Sequence, residues 1–269
     1  MEKEDFSKYN GEGTQLRKAQ LRMLEMLVEI DKVCRKHGIS YWIDAGTLLG
    51  AVRHGGFIPW DDDVDVCVLR KDYPRAREVL MNELPDAYKF VDWTTDPNYF
   101  DACGRIKSVN SWVDIPEYRF QKEQGIYVDF YPMDELVSMR DKYVGDFLFG
   151  KIFRHYHNSG KAVTNSRIRR MITKIISILC YPFVYAIIAL MRKSGSMWPN
   201  VITYGIALCT ISPQYKREWI FPTREIVFEG VKVYAPNDAH QYLTEFYGDY
   251  MQIPPEDKRV VHAQNWQIW

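Results

Sequence analysis

Asp44-Ala-Gly-Thr-Leu-Leu-Gly-Ala-Val-Arg-His-Gly-Gly-Phe-Ile-Pro-Trp-Asp-Asp-Asp-Val-Asp-Val66 is the stretch whose reading decides this chain. Its end alternates acids with valines. In a strand, successive side chains point to opposite faces. A strand from Asp61 to Val68 therefore puts Asp61, Asp63 and Asp65 on one face and Val64, Val66 and Val68 on the other. The valines suit a core. The acids repel one another unless a cation offsets them, and Mg²⁺ (or Mn²⁺) favours carboxylate oxygens together with substrate phosphate. Asp63 and Asp65 are the expected pair. Asp61 reads either as a further ligand or as an acid that solvates the strand start after Pro59. Asp62 reads as structural.

A third acid comes from Gly125-Ile-Tyr-Val-Asp-Phe-Tyr-Pro-Met-Asp134, a short strand pattern that Pro132 is expected to stop. Asp129 sits there among apolar neighbours. An acid in such a run is costly unless paired or metal-bound. Asp134 reads as the start of a loop or the cap of a following helix.

The order Gly-Thr, then Asp-x-Asp, then a single later acid resembles the nucleotidyltransferase superfamily. The wording from Tyr41 to His54 and from Phe57 to Asp65 resembles the LicD family, relatives of the fukutin-type proteins. The likeness extends to Gly125–Asp134 and to Tyr242–Met251 with Pro254-Pro255 behind it. One departure is Ala45, where the family pattern has a second glycine. The resemblance implies a transferase that moves phosphocholine from CDP-choline, or another CDP-linked group such as ribitol or glycerol phosphate, onto a sugar of teichoic acid or lipopolysaccharide. CMP would leave. Carried over by position, Gly46 and Thr47 form a turn at the donor phosphate. Asp63 and Asp65 hold metal, and Asp129 completes the site beside the acceptor hydroxyl. The rival reading is a non-catalytic glycan- or membrane-binding module on the same fold.

Basic groups flank the acids. Arg53, His54, Arg105 and Lys107 are candidates for donor phosphate, Arg being suited to bidentate contact. The alternative for the first, third and fourth is a solvated surface charge; for His54 it is a structural role. A choline headgroup would call for an aromatic cage. Trp60, Trp93, Tyr99, Trp112, Tyr118 and Tyr127 are candidates, although most aromatics pack cores.

The coarse layout is α/β, a nucleotidyltransferase-like mixed sheet flanked by helices, with an apolar helical insertion. The expected organisation is a catalytic core over 1–140, an insertion over 141–215, and a C-terminal hairpin and helix over 216–269 completing the core. Apolar spacing predicts helices over Leu16–His37, Tyr73–Leu84 and Asn237–Tyr247. Strands are expected at Tyr41–Ile43, Tyr88–Trp93, Ala102–Val109 and Ile126–Tyr131, and a hairpin at Ile226–Tyr234.

Ile175–Met191 is an uncharged apolar run. Arg167, Arg169, Arg170 and Lys174 precede it; Arg192 and Lys193 follow. Pro182 breaks it. An interfacial helix pair meeting anionic headgroups fits this better than a span; a buried helix pair is the alternative. Docking there would bring the enzyme to lipid-linked glycan acceptors at the cytoplasmic leaflet.

Composition excludes some classes. Lys plus Arg (35) equals Asp plus Glu (35), so no global basic field points to nucleic acid. The five cysteines form no CxxC pair and read as reduced thiols of a cytosolic protein. The first residues carry no signal-peptide pattern.

Overall fold

The computed structural model describes residues 5–136, 201–205 and 213–269, apart from 93, 97, 100, 102, 120, 262 and 264, together with a few positions between 143 and 190. Most of the apolar run at 175–191, most of the expected insertion, and Trp93 lie outside the described residues.

The first long element is α2 (Gln15–Lys36), which follows a single turn, α1 (Ser7–Asn10). Thr14 caps α2, its hydroxyl accepting from the Arg17 N–H at 3.2 Å. Leu16, Ala19, Met23, Met26, Leu27, Ile30, Val33 and Cys34 recur every three or four residues and are buried. Each large side chain among them contributes roughly 1.5–3 kcal/mol by leaving water. Gly38, at φ 61°, lets the chain turn out of the helix.

The sheet that α2 covers contains β1 (Tyr41–Ile43), β2 (Asp65–Leu69), β3 (Tyr88–Val91), β4 (Gly104–Ser108) and β6 (Tyr127–Leu136) in the order β1-β2-β6-β4-β3. The β2–β6 pair is parallel; the other pairs are antiparallel. The mixed α/β class therefore matches expectation. β7 (Val201–Tyr204) adds to the far half of β6, although it falls inside 141–215. A small strand β5 (Ser111–Val113) pairs with the C-terminal β10 (Trp266–Ile268), and β8 (Arg224–Phe228) with β9 (Val231–Ala235) forms the expected hairpin. Among the described residues no helix is long and apolar enough to cross a membrane.

The two faces of the sheet differ in chemistry. Val66, Val68, Ile106, Val128 and Phe130 are fully buried. Helix α4 (Tyr73–Glu83) closes that side through Tyr73, whose ring lies 5.7 Å from that of Phe130. The other face carries Asp65, Arg105, Lys107 and Asp129. Strand alternation thus separates packing from chemistry.

Four expectations are corrected. Gly46 and Thr47 are not in a turn but in the first turn of α3 (Ala45–His54). The β2 ladder begins at Asp65, so alternation does not orient Asp61 and Asp63. Strand β1 stops at Ile43; beyond it the Asp44 N–H donates to the Asp65 carbonyl at 3.0 Å, and the Asp65 N–H goes to the Thr47 hydroxyl at 2.9 Å. Pro132 does not stop β6, because there the strand changes neighbours: β4 pairs up to Phe130 and β7 begins at Met133. The Pro132 carbonyl still accepts from Gly205 N–H. Asp134 is consequently a buried strand residue, bonded to Arg70 at 2.9 and 3.2 Å, and not a cap.

The C-terminal elements pack onto the core. Helix α5 (Arg217–Ile220) and helix α6 (Ala239–Tyr247) lie together, and α6 contacts α3. Asp238 caps α6, accepting from Gln241 N–H at 3.0 Å. The hairpin tip is fixed by Glu229, which takes Arg17 at 2.7 Å and the Phe57 N–H at 3.1 Å.

Candidate active site

Asp65 and Asp129 are direct register partners across the parallel β2–β6 pair. Residues opposite one another in adjacent strands share a face. The Asp129 N–H also donates to Val64 at 2.8 Å, fixing the entry to β2. Both acids are buried, 8% and 4% exposed. Burial raises the Asp65 pKa well above the carboxylate range, and Asp63, Asp129, Asp44 and Asp61 add to it. Burial likewise raises the Asp129 pKa, with Arg105 opposing. A buried acid pair is costly unless offset; Arg105 offsets it at Asp129, and a hard cation would relieve it further.

Asp61 and Asp63 reach the same neighbourhood through the loop before β2. Burial raises the Asp61 pKa well above normal, and Asp63 and Asp62 add to that. A carboxylate oxygen of Asp61 would lie 2.6 Å from a Cβ on Gly46, so glycine there makes room for the acid at the start of α3. Asp62 is turned away, accepting the Ala263 N–H at 2.6 Å. That agrees with the structural role expected for it.

Among the described residues no group of three or more His, Cys, Asp and Glu side chains is arranged to hold a metal ion. Mg²⁺ is usually bound by one or two carboxylates, with waters and substrate phosphates completing the shell. Asp65 and Asp129 on one face, with Asp63 close by, are a donor set of that kind.

The basic candidates divide. Arg105 and Lys107 are not surface charges: they are 5% and 0% exposed. Arg105 Nε donates to Asp129 Oδ1 at 2.5 Å and Nη1 to Asp101 at 2.6 Å. Burial alone would lower its pKa, but Asp101 and Asp129 more than reverse this. Lys107 Nζ donates to Gln121 Oε1 at 2.5 Å and to the Glu123 carbonyl at 2.8 Å. Burial, with Arg105 beside it, brings its pKa down to about 7. Arg53 is anchored to the Tyr250 and Gln252 carbonyls at 2.8 and 3.1 Å. It also donates to His54 Nε2 at 3.0 Å. Burial, then Arg53, pushes His54 down to about 4. An imidazole making edge contacts with the Phe6 and Trp60 rings is a packing group.

The aromatic candidates also separate. Trp60 packs edge-on against Phe6 and Tyr9. Trp112 donates to Gln124 at 3.0 Å. Tyr118 and Tyr127 do flank a cation, but it is the Arg105 guanidinium, 4.5 and 4.6 Å from their centroids, with Tyr99 at 5.9 Å.

Sequence reasoning passed over Asp44. Its fully buried carboxylate accepts from Tyr204 at 2.5 Å, Tyr242 at 2.7 Å and Cys67 at 3.1 Å. It therefore ties the beginning of α3 to β7 and α6. The signal was an acid inside Tyr41-Trp-Ile-Asp-Ala, which the strand-end reading left without a role. Ala45, next to it, has φ 44°, a left-handed conformation that favours glycine.

Residues 38–156 match the family described as LicD/FKTN/FKRP, nucleotidyltransferase domain. This stretch is a LicD-family domain. Over 260 residues it is 26% identical to the lipopolysaccharide cholinephosphotransferase LicD of Haemophilus influenzae, covering 92% of this chain and 95% of that protein. An uncharacterised protein of Rickettsia prowazekii is 30% identical over 146 residues, 54% of this chain and 47% of its own. The ribitol 5-phosphate transferase FKRP of Homo sapiens is 54% identical over 42 residues, 16% of this chain and 8% of that protein. Two of these relatives, LicD and FKRP, are transferases by name.

Proposed function

We propose that this protein transfers phosphocholine from CDP-choline to a sugar hydroxyl of a cell-surface glycan precursor, lipopolysaccharide or teichoic acid, releasing CMP. The observation that carries the reading is the in-register Asp65–Asp129 pair inside the LicD-family domain. The choice of headgroup and of a lipopolysaccharide acceptor follows the cholinephosphotransferase that aligns with nearly the whole chain.

Transfer between phosphate esters needs positioning and charge neutralisation more than covalent help. In this reading Asp65 and Asp129, with Asp63 beside them, hold Mg²⁺ or Mn²⁺. When bound, the ion neutralises phosphate charge and acidifies a nearby hydroxyl. Asp129, a carboxylate whose basicity burial increases, receives the proton of the attacking hydroxyl. The first turn of α3, with Gly46 and Thr47, offers backbone N–H groups to the donor phosphate. Asp61 tunes that turn rather than serving as a principal ligand. Arg105 is the basic side chain nearest the acids and the best placed for phosphate; Lys107 supports it. Arg53, held by the Tyr250 and Gln252 carbonyls, and His54, packed against Phe6 and Trp60, are structural.

The enzyme works, in this reading, as a peripheral protein at the cytoplasmic leaflet. Met171, Ile175, Leu179, Phe183 and Leu190 are helical positions spaced four or seven apart, and all are exposed. Basic residues flank them in sequence. Apolar anchors between Lys/Arg collars suit an anionic lipid surface. Flotation with phosphatidylglycerol vesicles tests this; protein that stays at the bottom of the gradient contradicts it.

The donor is tested by incubating the protein with Mg²⁺, a glycan acceptor and CDP-choline, CDP-ribitol or CDP-glycerol in parallel. Acceptor-dependent CMP release with CDP-choline above the other two supports the reading. Preference for CDP-ribitol would favour the chemistry of the FKRP relative instead.

A further inference from the structure

Arg105 occupies an unusual position for a basic residue beside candidate metal ligands. Its Nε lies 2.5 Å from Asp129 Oδ1, so a full positive charge already sits against that acid. The far side of the guanidinium is held separately, Nη1 to Asp101 at 2.6 Å. Asp101 is partly open, its side chain 28% exposed against 7% for Arg105. The guanidinium is also flanked by the Tyr118 and Tyr127 rings. Losing the Asp129 contact would therefore leave it paired with Asp101 and lined by rings. Besides Arg105, Asp129 accepts only weak side-chain contacts among the described residues, from the Tyr131 hydroxyl at 3.3 Å and the Cys103 thiol at 3.9 Å.

We propose that Arg105 is the resident counter-ion of Asp129, that it competes with the divalent cation for that carboxylate, and that once displaced it pairs with the donor's phosphate while Asp101 keeps hold of it. This rests on the metal reading given above. Two positive charges cannot share one buried carboxylate oxygen without repulsion. A guanidinium fork fits a phosphate edge, which supplies the negative charge Arg105 gives up. Arg105 thus keeps the acid pair tolerable before the cation arrives and makes cation binding weaker than the acids alone would make it.

The test is Mn²⁺ titrated into the purified full chain, with free Mn²⁺ read by electron paramagnetic resonance and no donor present. Arg105→Gln should bind Mn²⁺ about tenfold tighter than the parent, the effect of removing one competing charge. Arg105→Lys keeps a charge but not the fork and should fall between. Thermal melting adds a second readout: Arg105→Gln should melt lower than the parent in EDTA and gain more from Mn²⁺. Asp65→Asn and Asp129→Asn separate the two claims. If both bind Mn²⁺ as the parent does, the metal reading fails and this inference with it. If they lose Mn²⁺ while both Arg105 variants bind it no tighter than the parent, the metal site stands and the role given to Arg105 is wrong.

Discussion

Asp65 of β2 and Asp129 of β6 face each other across a parallel strand pair, two buried acids in register. Burial and the neighbouring acids raise the Asp65 pKa, so the folded state holds a proton more tightly than the unfolded chain. Stability from this group is therefore greatest at low pH and falls as pH rises past the ordinary carboxylate range. At pH 7, without divalent ions, Asp65→Asn should melt higher than the parent by roughly 2–4 °C, about 1 kcal/mol. The same variant should lose transfer by at least about a hundredfold. Calorimetry in EDTA checks the first part; a variant that melts lower would show that the acid pair carries no such strain.

Ala45 gives a second prediction. Its φ of 44° is unfavourable for any residue with a Cβ. Ala45→Gly should stabilise the protein by about 1 kcal/mol, because the left-handed penalty exceeds the added freedom of glycine in the unfolded chain. Urea unfolding would read it as a higher midpoint at unchanged slope. A lower midpoint would mean that the helix start relaxes around alanine.

Gly46 gives a third. A methyl group there would meet an Asp61 oxygen at 2.6 Å, so Gly46→Ala must displace that acid. Transfer should fall by about tenfold or more, while the melting temperature changes by no more than a few degrees. Full activity in this variant would show that Asp61 and the first turn of α3 do not cooperate.

Lys107 sets a pH dependence of its own. Burial lowers its pKa to about 7, below the ordinary lysine value of 10.5. Between those values the unfolded chain binds more protons than the folded one, so this term makes stability rise with pH from about 7 to about 10.5. Lys107→Met removes the term. Its stability relative to the parent should be highest at pH 7 and should decline toward pH 10. A difference that stays flat across that range would mean the lysine is not carried in a buried, weakly basic state.

Local pattern made much of the fold legible. The apolar period of α2, the three residues of β1 and the glycine of the β8–β9 hairpin need only neighbours in sequence. What was not legible depends on distant partners. Asp44 finds its role through Tyr204 and Tyr242, 160 and 198 residues away. Pro132 is tolerated inside β6 because β7 takes over from β4 around it. Asp134 is buried because Arg70 reaches it. At the site, alternation identified Asp65, and the apolar setting of Asp129 marked it as an acid with a partner. The burial of Arg105 and Lys107 was hidden, since nothing in Gly-Arg-Ile-Lys-Ser says that both faces of that strand are covered.

Asp65 and Asp129, in the function proposed, support CDP-dependent transfer through a bound divalent ion. The most direct measurement is acceptor-dependent CMP release from CDP-choline by the parent, by the parent in EDTA, and by Asp65→Asn and Asp129→Asn at equal folded concentration. Release by the parent with Mg²⁺ and loss in the other three is the expected result. Release that persists in EDTA, or in either asparagine variant, would contradict the claim.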